Sequence, residues 1–226
     1  MNRLVAVIAA RSGSVRVKNK NIRKFNDSNI LEMKIQQLKG IKALDEIIVN
    51  TNCDEIMDLA TKAGVKCVKR KDYFASNTVS MSEVFKNIAE NTDSEYIMYA
   101  NATNPLVTQE SYEEAIDIFF RNKKNFDSLT SCHDVKEFLY LNNDPLNYDP
   151  RNQPRSQDLP EIVALNFAIS ILSKQNMIKY QNILGKKPYM FKLNEVESID
   201  IDTNLDFFIA EKVYKKIVIQ NEILLD

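Results

Sequence analysis

The chain has 226 residues, of which 44% are hydrophobic and 27% charged, and its net charge at pH 7 is −1. That length suits one α/β domain, the balance excludes wholesale disorder, and the near-neutral charge leaves no general field for nucleic acid or a membrane surface, so anion binding has to be local. The three cysteines (Cys53, Cys67, Cys132) and the single histidine (His133) fall in no metal or triad spacing, the start of the chain carries no signal pattern and no apolar run nears the ~20 residues of a membrane span, which together predict reduced thiols in a cytoplasmic protein.

Residues 4–10 are apolar without alternation and rich in branched side chains, the pattern of a central parallel strand buried on both faces. Helical spacing follows at Ile30, Leu31, Met33, Ile35 and Leu38, with Gly40 as a stop. Residues 46–50 read as a second buried strand, 54–63 as a helix ending at Gly64, and 65–68 as a short third strand. This β-α-β-α-β alternation predicts a mostly parallel sheet with right-handed crossovers. Residues 70–77 read as a loop, Thr78 or Ser80 opens a helix through Phe85 and Ile88, and 96–100 is a further core strand closed by a polar cluster ending at Pro105. An amphipathic helix at 111–120 and a strand at 127–132 come next. From Glu137 to about residue 161 the rhythm gives way to Pro and Asn; a long irregular stretch in a compact domain is usually functional or interfacial. A β pattern resumes at 162–172 and again at 189–193, and a last helix is expected from about 203 to 218. No repeat or linker divides the chain, so one domain spanning 1–226 is expected, with an insertion at about 137–192.

Two stretches carry chemistry. The first is the loop after the opening strand, Arg11, Ser12, Gly13 and Ser14, then Arg16, Lys18, Lys20 and Asn21. A cationic Gly/Ser turn at the C-terminal end of a buried strand has the layout of a phosphate site, because turn amides and cations converge where open α/β sheets bind ligands. It is neither a Walker A loop nor Gly-x-Gly-x-x-Gly, and the residues alone fit a plain basic surface loop as well. The second is Ser198-Ile199-Asp200-Ile201-Asp202. In extended chain, residues two apart share a face, so Asp200 and Asp202 project together while the isoleucines turn inward. Paired carboxylates repel unless a cation joins them, and a hard divalent ion such as Mg²⁺ held by them and by substrate phosphates would do so. The alternative makes Asp202 an N-cap or first-turn acid of the last helix and Asp200 a solvated strand residue.

Ala10-Arg11-Ser12-Gly13-Ser14 followed by Lys20-Asn21 resembles the nucleotide-binding signature of the CMP-sialic acid synthetase (N-acylneuraminate cytidylyltransferase) family. The likeness extends through residues 47–52, Arg70 with Ala75-Ser76-Asn77-Thr78, Asn101-Ala102-Thr103-Asn104-Pro105-Leu106, residues 153–160, Asn166-Phe167-Ala168-Ile169 and Ser198 to Asp206. It implies a Rossmann-like nucleotidyltransferase sheet, a homodimer made through the irregular middle, and the reaction of CTP with a 2-keto-3-deoxy sugar acid to give a CMP-sugar and pyrophosphate. By the same resemblance, Arg11, Ser12, Gly13, Ser14, Lys20, Asn21 and Arg70 would bind the nucleotide, with Arg11, Lys20 and Asp202 catalytic. Asp200 and Asp202 would hold Mg²⁺, and Asn101, Thr103, Arg155, Gln157 and Asn166 would orient the sugar. Asn101, Asn77, Val107 and Phe167 depart from the family pattern, where Gln, Asp, Arg and Gly are usual; most of these fall on the sugar side. The implied acceptor is therefore a nonulosonic acid other than N-acetylneuraminate, or a smaller acid. A sugar-1-phosphate nucleotidyltransferase and a non-catalytic binding homologue are the alternatives.

Overall fold

A computed structural model describes residues 3–14 and 16–219; the remaining positions of the expected 1–226 domain lie outside the described residues. The opening strand β1 (Leu4–Ala9) is followed by a minimal hairpin, β2 (Lys24–Phe25) and β3 (Ser28–Asn29), that leads straight into helix α1 (Ile30–Lys39). The chain then alternates through β4 (Glu46–Thr51), α2 (Asp54–Lys62), β5 (Lys66–Lys69), α3 (Met81–Glu90), β6 (Tyr96–Ala100), α4 (Gln109–Asn122) and β7 (Ser128–Val135). After a second small hairpin, β8 (Tyr140–Leu141) with β9 (Asp144–Pro145), come β10 (Ile162–Ser173), α5 (Lys174–Tyr180), β11 (Pro188–Lys192) and α6 (Asn204–Tyr214).

Among the described residues, seven strands form one sheet in the order β11-β7-β10-β6-β1-β4-β5. Only β10 runs against the others, pairing antiparallel with both β6 and β7. The sheet is thus mostly parallel with helices on its faces, as expected. Of the 137–192 stretch expected as an insertion, β10 and β11 are strands of this central sheet, and the irregular part is confined to 137–161, which holds β8, β9 and short 3₁₀ turns.

The unalternating apolar character of β1 has a direct structural reason. Leu4, Ala6 and Ile8 pack with Leu31, Ile35 and Leu38 of α1 and with Tyr112, Ile116 and Phe119 of α4. Val5 and Val7 face the other way, onto Val84 and Ile88 of α3 and Met177 of α5. Burying such side chains stabilises the fold by about 1.5–3 kcal/mol each.

A third, smaller cluster joins the two ends of the chain. Val17, Phe25, Ile30 and Met33 pack against Ile201, Phe207 and Ala210. Phe25 meets the Phe207 ring edge-on at 5.4 Å. The last helix is held in register by a capping box, in which the Thr203 side chain accepts from the Asp206 amide and the Asp206 carboxylate accepts from the Thr203 amide. The segment before it, 199–202, has no regular secondary structure; Ile201 is fully buried and Ile199 packs against the same cluster, so the two acids turn the other way.

Candidate active site

The loop leaving β1 departs from the C-terminal edge of the sheet, held at its root by the Ala10 amide donating to the Asn50 carbonyl at 3.1 Å. Gly13 has φ +78°, a left-handed conformation that side-chain-bearing residues rarely adopt, so the turn needs glycine for its backbone. Arg11 reaches away from the loop, donating to the carbonyls of Ala75 at 2.6 Å and Ser76 at 3.1 Å. The Ser12 amide donates to Asn52 Oδ1 at 3.3 Å. Lys20 donates to the Ile201 carbonyl at 2.5 Å and lies 3.6 Å from Asp202. Arg16 grips the same carboxylate through two hydrogen bonds of 3.0 and 2.8 Å. The cationic turn and the acidic pair therefore meet, as the third cluster requires.

Between them lies a cavity of about 230 Å³ lined by Ala9, Arg11, Ser14, Arg16, Val17, Lys20, Asn21, Asn101, Thr103 and Asp202. Asn101 enters from the end of β6, its amide donating to the Ala168 carbonyl of β10 at 3.2 Å. Thr103 faces Asp200, to which its hydroxyl donates, and its carbonyl accepts from the Ile201 amide at 2.8 Å. Burial raises the Asp200 carboxyl above the usual carboxylate range; the Thr103 hydrogen bond works against this, and the nearby Asp202 charge adds to it. A buried acid pushed up in this way and facing a second acid is the environment that a divalent cation relieves. The donors are hard oxygens, which suits Mg²⁺. Among the described residues no group of three or more His, Cys, Asp or Glu is placed to hold a metal. The two acids would then supply part of a coordination shell, and phosphates and water the rest.

Seven of the expected site residues thus share the cavity wall: Arg11, Ser14, Lys20, Asn21, Asn101, Thr103 and Asp202. Asp200 stands directly behind Thr103, and Ser12 and Gly13 lie in the same turn. The other four lie elsewhere. Arg70 is buried, donating to Asn50 Oδ1 at 2.6 Å and to the Asn50 carbonyl at 3.0 Å. Burial lowers its pKa, with the Arg11 charge adding to the effect and Tyr99 opposing it. It braces the strand end on which the loop is rooted and does not line the cavity. Asn166 is buried too, accepting from Ser131 Oγ at 2.5 Å and donating to Ser198 Oγ at 3.3 Å. It ties β10 to β7 and to the segment leading into the acids. Arg155 and Gln157 sit on exposed 3₁₀ turns outside the cavity, with Arg155 paired to Asp158 at 2.7 Å.

Val107 is fully buried in the first core cluster. Phe167, at φ +53°, occupies the irregularity where the β10 register with β7 shifts between Leu165 and Ser170, and its ring packs against the second cluster. It is not among the residues that line the cavity. Asn52 and Asn50 escaped the sequence reading as supports of the loop; their position at the end of a strand next to β1 was the available signal.

The model of the cytidylyltransferase family matches residues 5–223. Among curated relatives, the post-translational flagellin modification protein B of Campylobacter coli is 27% identical over 229 residues, covering 96% of this chain and 97% of the relative. The CMP-N,N'-diacetyllegionaminic acid synthase of Campylobacter jejuni is 26% identical, covering 93% and 94% of the two chains. Among solved structures, a CMP:2-keto-3-deoxy-manno-octonic acid synthetase complexed with CTP superimposes with a TM-score of 0.72 over 96% of this chain and 100% of the other, at 12% identity, a likeness of fold. Because the family model covers nearly the whole sequence, residues 5–223, the chain belongs to the cytidylyltransferase family.

Proposed function

We propose that this cytidylyltransferase transfers a cytidylyl group from CTP to the anomeric hydroxyl of an acidic nonulosonic sugar of the sialic, legionaminic or pseudaminic type. The observation that supports this most is the closure of the cationic turn onto the acid pair through Arg16, Lys20 and Asp202. The relative that makes a CMP-legionaminic acid supports the acceptor class.

Arg11, Arg16 and Lys20 neutralise the triphosphate, and the Ser12–Ser14 turn offers amides and a hydroxyl to it. Asn21 closes the floor, its side-chain Nδ2 donating to the Arg11 carbonyl at 3.4 Å. Asn101 and Thr103 form the opposite wall, where the sugar would lie. The sugar oxygen forms a bond to the α-phosphorus, the α–β bridging P–O bond breaks, the hydroxyl proton passes to solvent water, and pyrophosphate leaves. Asp200 and Asp202 would hold Mg²⁺, which when bound supplies charge neutralisation at the phosphates and lowers the hydroxyl pKa. Thr103 orients the Asp200 carboxylate for that purpose.

We extend the reading to a cytoplasmic homodimer. The 137–161 arm carries Tyr140, Leu141 and Leu146, each more than half exposed. A second copy would cover them, and the same arm would bring Arg155 and Gln157 to an acceptor carboxylate.

The test is pyrophosphate release with each of the four ribonucleoside triphosphates against neuraminic, legionaminic, pseudaminic and 2-keto-3-deoxy-octonic acids, with hexose 1-phosphates as the contrasting acceptors. Release with CTP and a keto-acid sugar is expected, lost in Asp202→Asn. Turnover of hexose 1-phosphates instead, or an active Asp202→Asn protein, overturns the reading.

A further inference from the structure

Lys34 lies in the middle of α1 among core isoleucines and leucines, and it is completely buried. A lysine there is costly, because the interior offers its charge little solvation. Burial pulls its pKa down to about 7, with the Glu197 carboxylate partly offsetting the effect. Such a group persists only where it has a use or a full set of partners. Its amine donates to the backbone carbonyl of Asn104 at 2.9 Å and to the Tyr112 hydroxyl at 2.7 Å. It also sits 5.0 Å from the centre of the Tyr112 ring.

The carbonyl it holds belongs to the turn after β6 that carries Asn101 and Thr103. The Asn104 amide donates to the Asn101 carbonyl at 3.4 Å, and the Asn104 side chain donates to the Ile199 carbonyl at 3.4 Å. One residue earlier, Thr103 binds both the Ile201 amide and the Asp200 carboxylate. The far end of the turn is pinned by Glu197, buried, which accepts from the Thr108 amide at 2.9 Å and from the Ser111 hydroxyl at 2.7 Å. A continuous set of hydrogen bonds therefore runs from the interior of α1, through the turn, to the acid pair. Either protonation state of Lys34 keeps an N–H for the Asn104 carbonyl, so this link does not depend on its charge.

We propose that Lys34 is a positioning residue for the divalent-cation site, setting through Asn104 and Thr103 the distance between Asp200 and Asp202; this rests on the reading of those acids as metal ligands. Groups that orient ligands without touching the ion typically change metal affinity by about 10–100-fold when removed.

The experiment measures Mn²⁺ binding by the full-length protein, alone and with CTP, by electron paramagnetic resonance, alongside pyrophosphate release and the CTP affinity without metal. Lys34→Met replaces the amine by an apolar chain of like length. The expected result is a folded protein whose Mn²⁺ affinity falls about tenfold, with kcat falling in step and metal-free CTP affinity unchanged. Mn²⁺ affinity within twofold of the unaltered protein overturns the proposal. So does a loss of metal-free CTP affinity as large as the loss of Mn²⁺, which would mark general collapse. If Lys34→Met does not fold, Asn104→Ala, which cuts the side-chain link to Ile199, is expected to weaken Mn²⁺ in the same direction, and an unchanged affinity there overturns it. Failure of the unaltered protein to bind Mn²⁺ at all would instead overturn the metal reading itself.

Discussion

Arg16 and Asp202, 186 positions apart in the chain, meet through two parallel hydrogen bonds of 3.0 and 2.8 Å. Both side chains are well exposed, so the pair adds little to stability. Its meaning lies in what it occupies: both oxygens of an acid proposed above as a metal ligand are held by a guanidinium. Under the proposed metal reading, binding of the ion would displace Arg16, which would then be free for the phosphates that arrive with it.

This exchange has a test with opposite signs. In Arg16→Ala, Mn²⁺ affinity without nucleotide is expected to rise roughly two- to fivefold, the worth of an exposed ion pair, while CTP affinity falls. Titration of each ligand by calorimetry reads both. A fall in Mn²⁺ affinity would mean that Arg16 organises Asp202 for the ion and does not compete with it.

Phe167 supplies a test of backbone conformation. At φ +53° a side-chain-bearing residue pays about 1–2 kcal/mol that glycine does not. Phe167→Gly and Phe167→Ala both lose the ring's packing on the second core cluster. The glycine variant is nonetheless expected to be the more stable of the two by about 1 kcal/mol, in urea unfolding. An ordinary strand position gives the reverse order.

Asn166 and Arg155 were expected together as sugar ligands, and their environments predict different behaviour. Asn166→Ala removes the acceptor of the buried Ser131 hydroxyl and of the Ala168 amide and a donor to Ser198 Oγ, and is expected to cost about 1–3 kcal/mol. Arg155→Ala removes one exposed ion pair and is expected to change stability by less than about 1 kcal/mol, with its effect confined to the Michaelis constant of the sugar. Thermal or urea unfolding with paired kinetics separates the two.

Lys34 gives stability a pH dependence. The unfolded chain keeps this proton up to the ordinary lysine value of 10.5, whereas the folded chain releases it near pH 7. Between those values the unfolded state binds the extra proton, so unfolding free energy rises with pH, by at most about 1.4 kcal/mol per unit. Tyr112 and Glu197 face the amine; burial pushes the Tyr112 hydroxyl above its ordinary value, so it stays neutral in this window. Urea unfolding from pH 7 to 9 is expected to show the rise in the unaltered protein and its loss in Lys34→Met. A rise of equal size in both would assign it to other groups.

The strands were legible because their causes are local. An unbroken apolar run such as 4–10 suits a strand buried on both faces, and the helices announced themselves by spacing and by caps such as Thr203. The motif residues of the loop and the acid pair were legible as chemistry, as far as side-chain type and spacing go. Three things were not. Lys34, a charged residue between Met33 and Ile35, reads as the solvent side of a helix; only packing α4 and the 101–108 turn over α1 makes that side an interior. Asn166, Arg70 and Arg155 all carry polar side chains, yet the first two are buried braces and the third is exposed, because burial depends on which strands and loops lie above a residue. Finally, the sequence determined that a cationic turn and a pair of acids exist, one near each end of the chain. That the turn and Asp202 line one cavity, with Asp200 behind Thr103, was decided by the tertiary structure, through Phe25 and Ile30 packing on Ile201 and Phe207, since contacts between residues so far apart follow from the burial of apolar surface shared by both segments and leave no mark in either one alone.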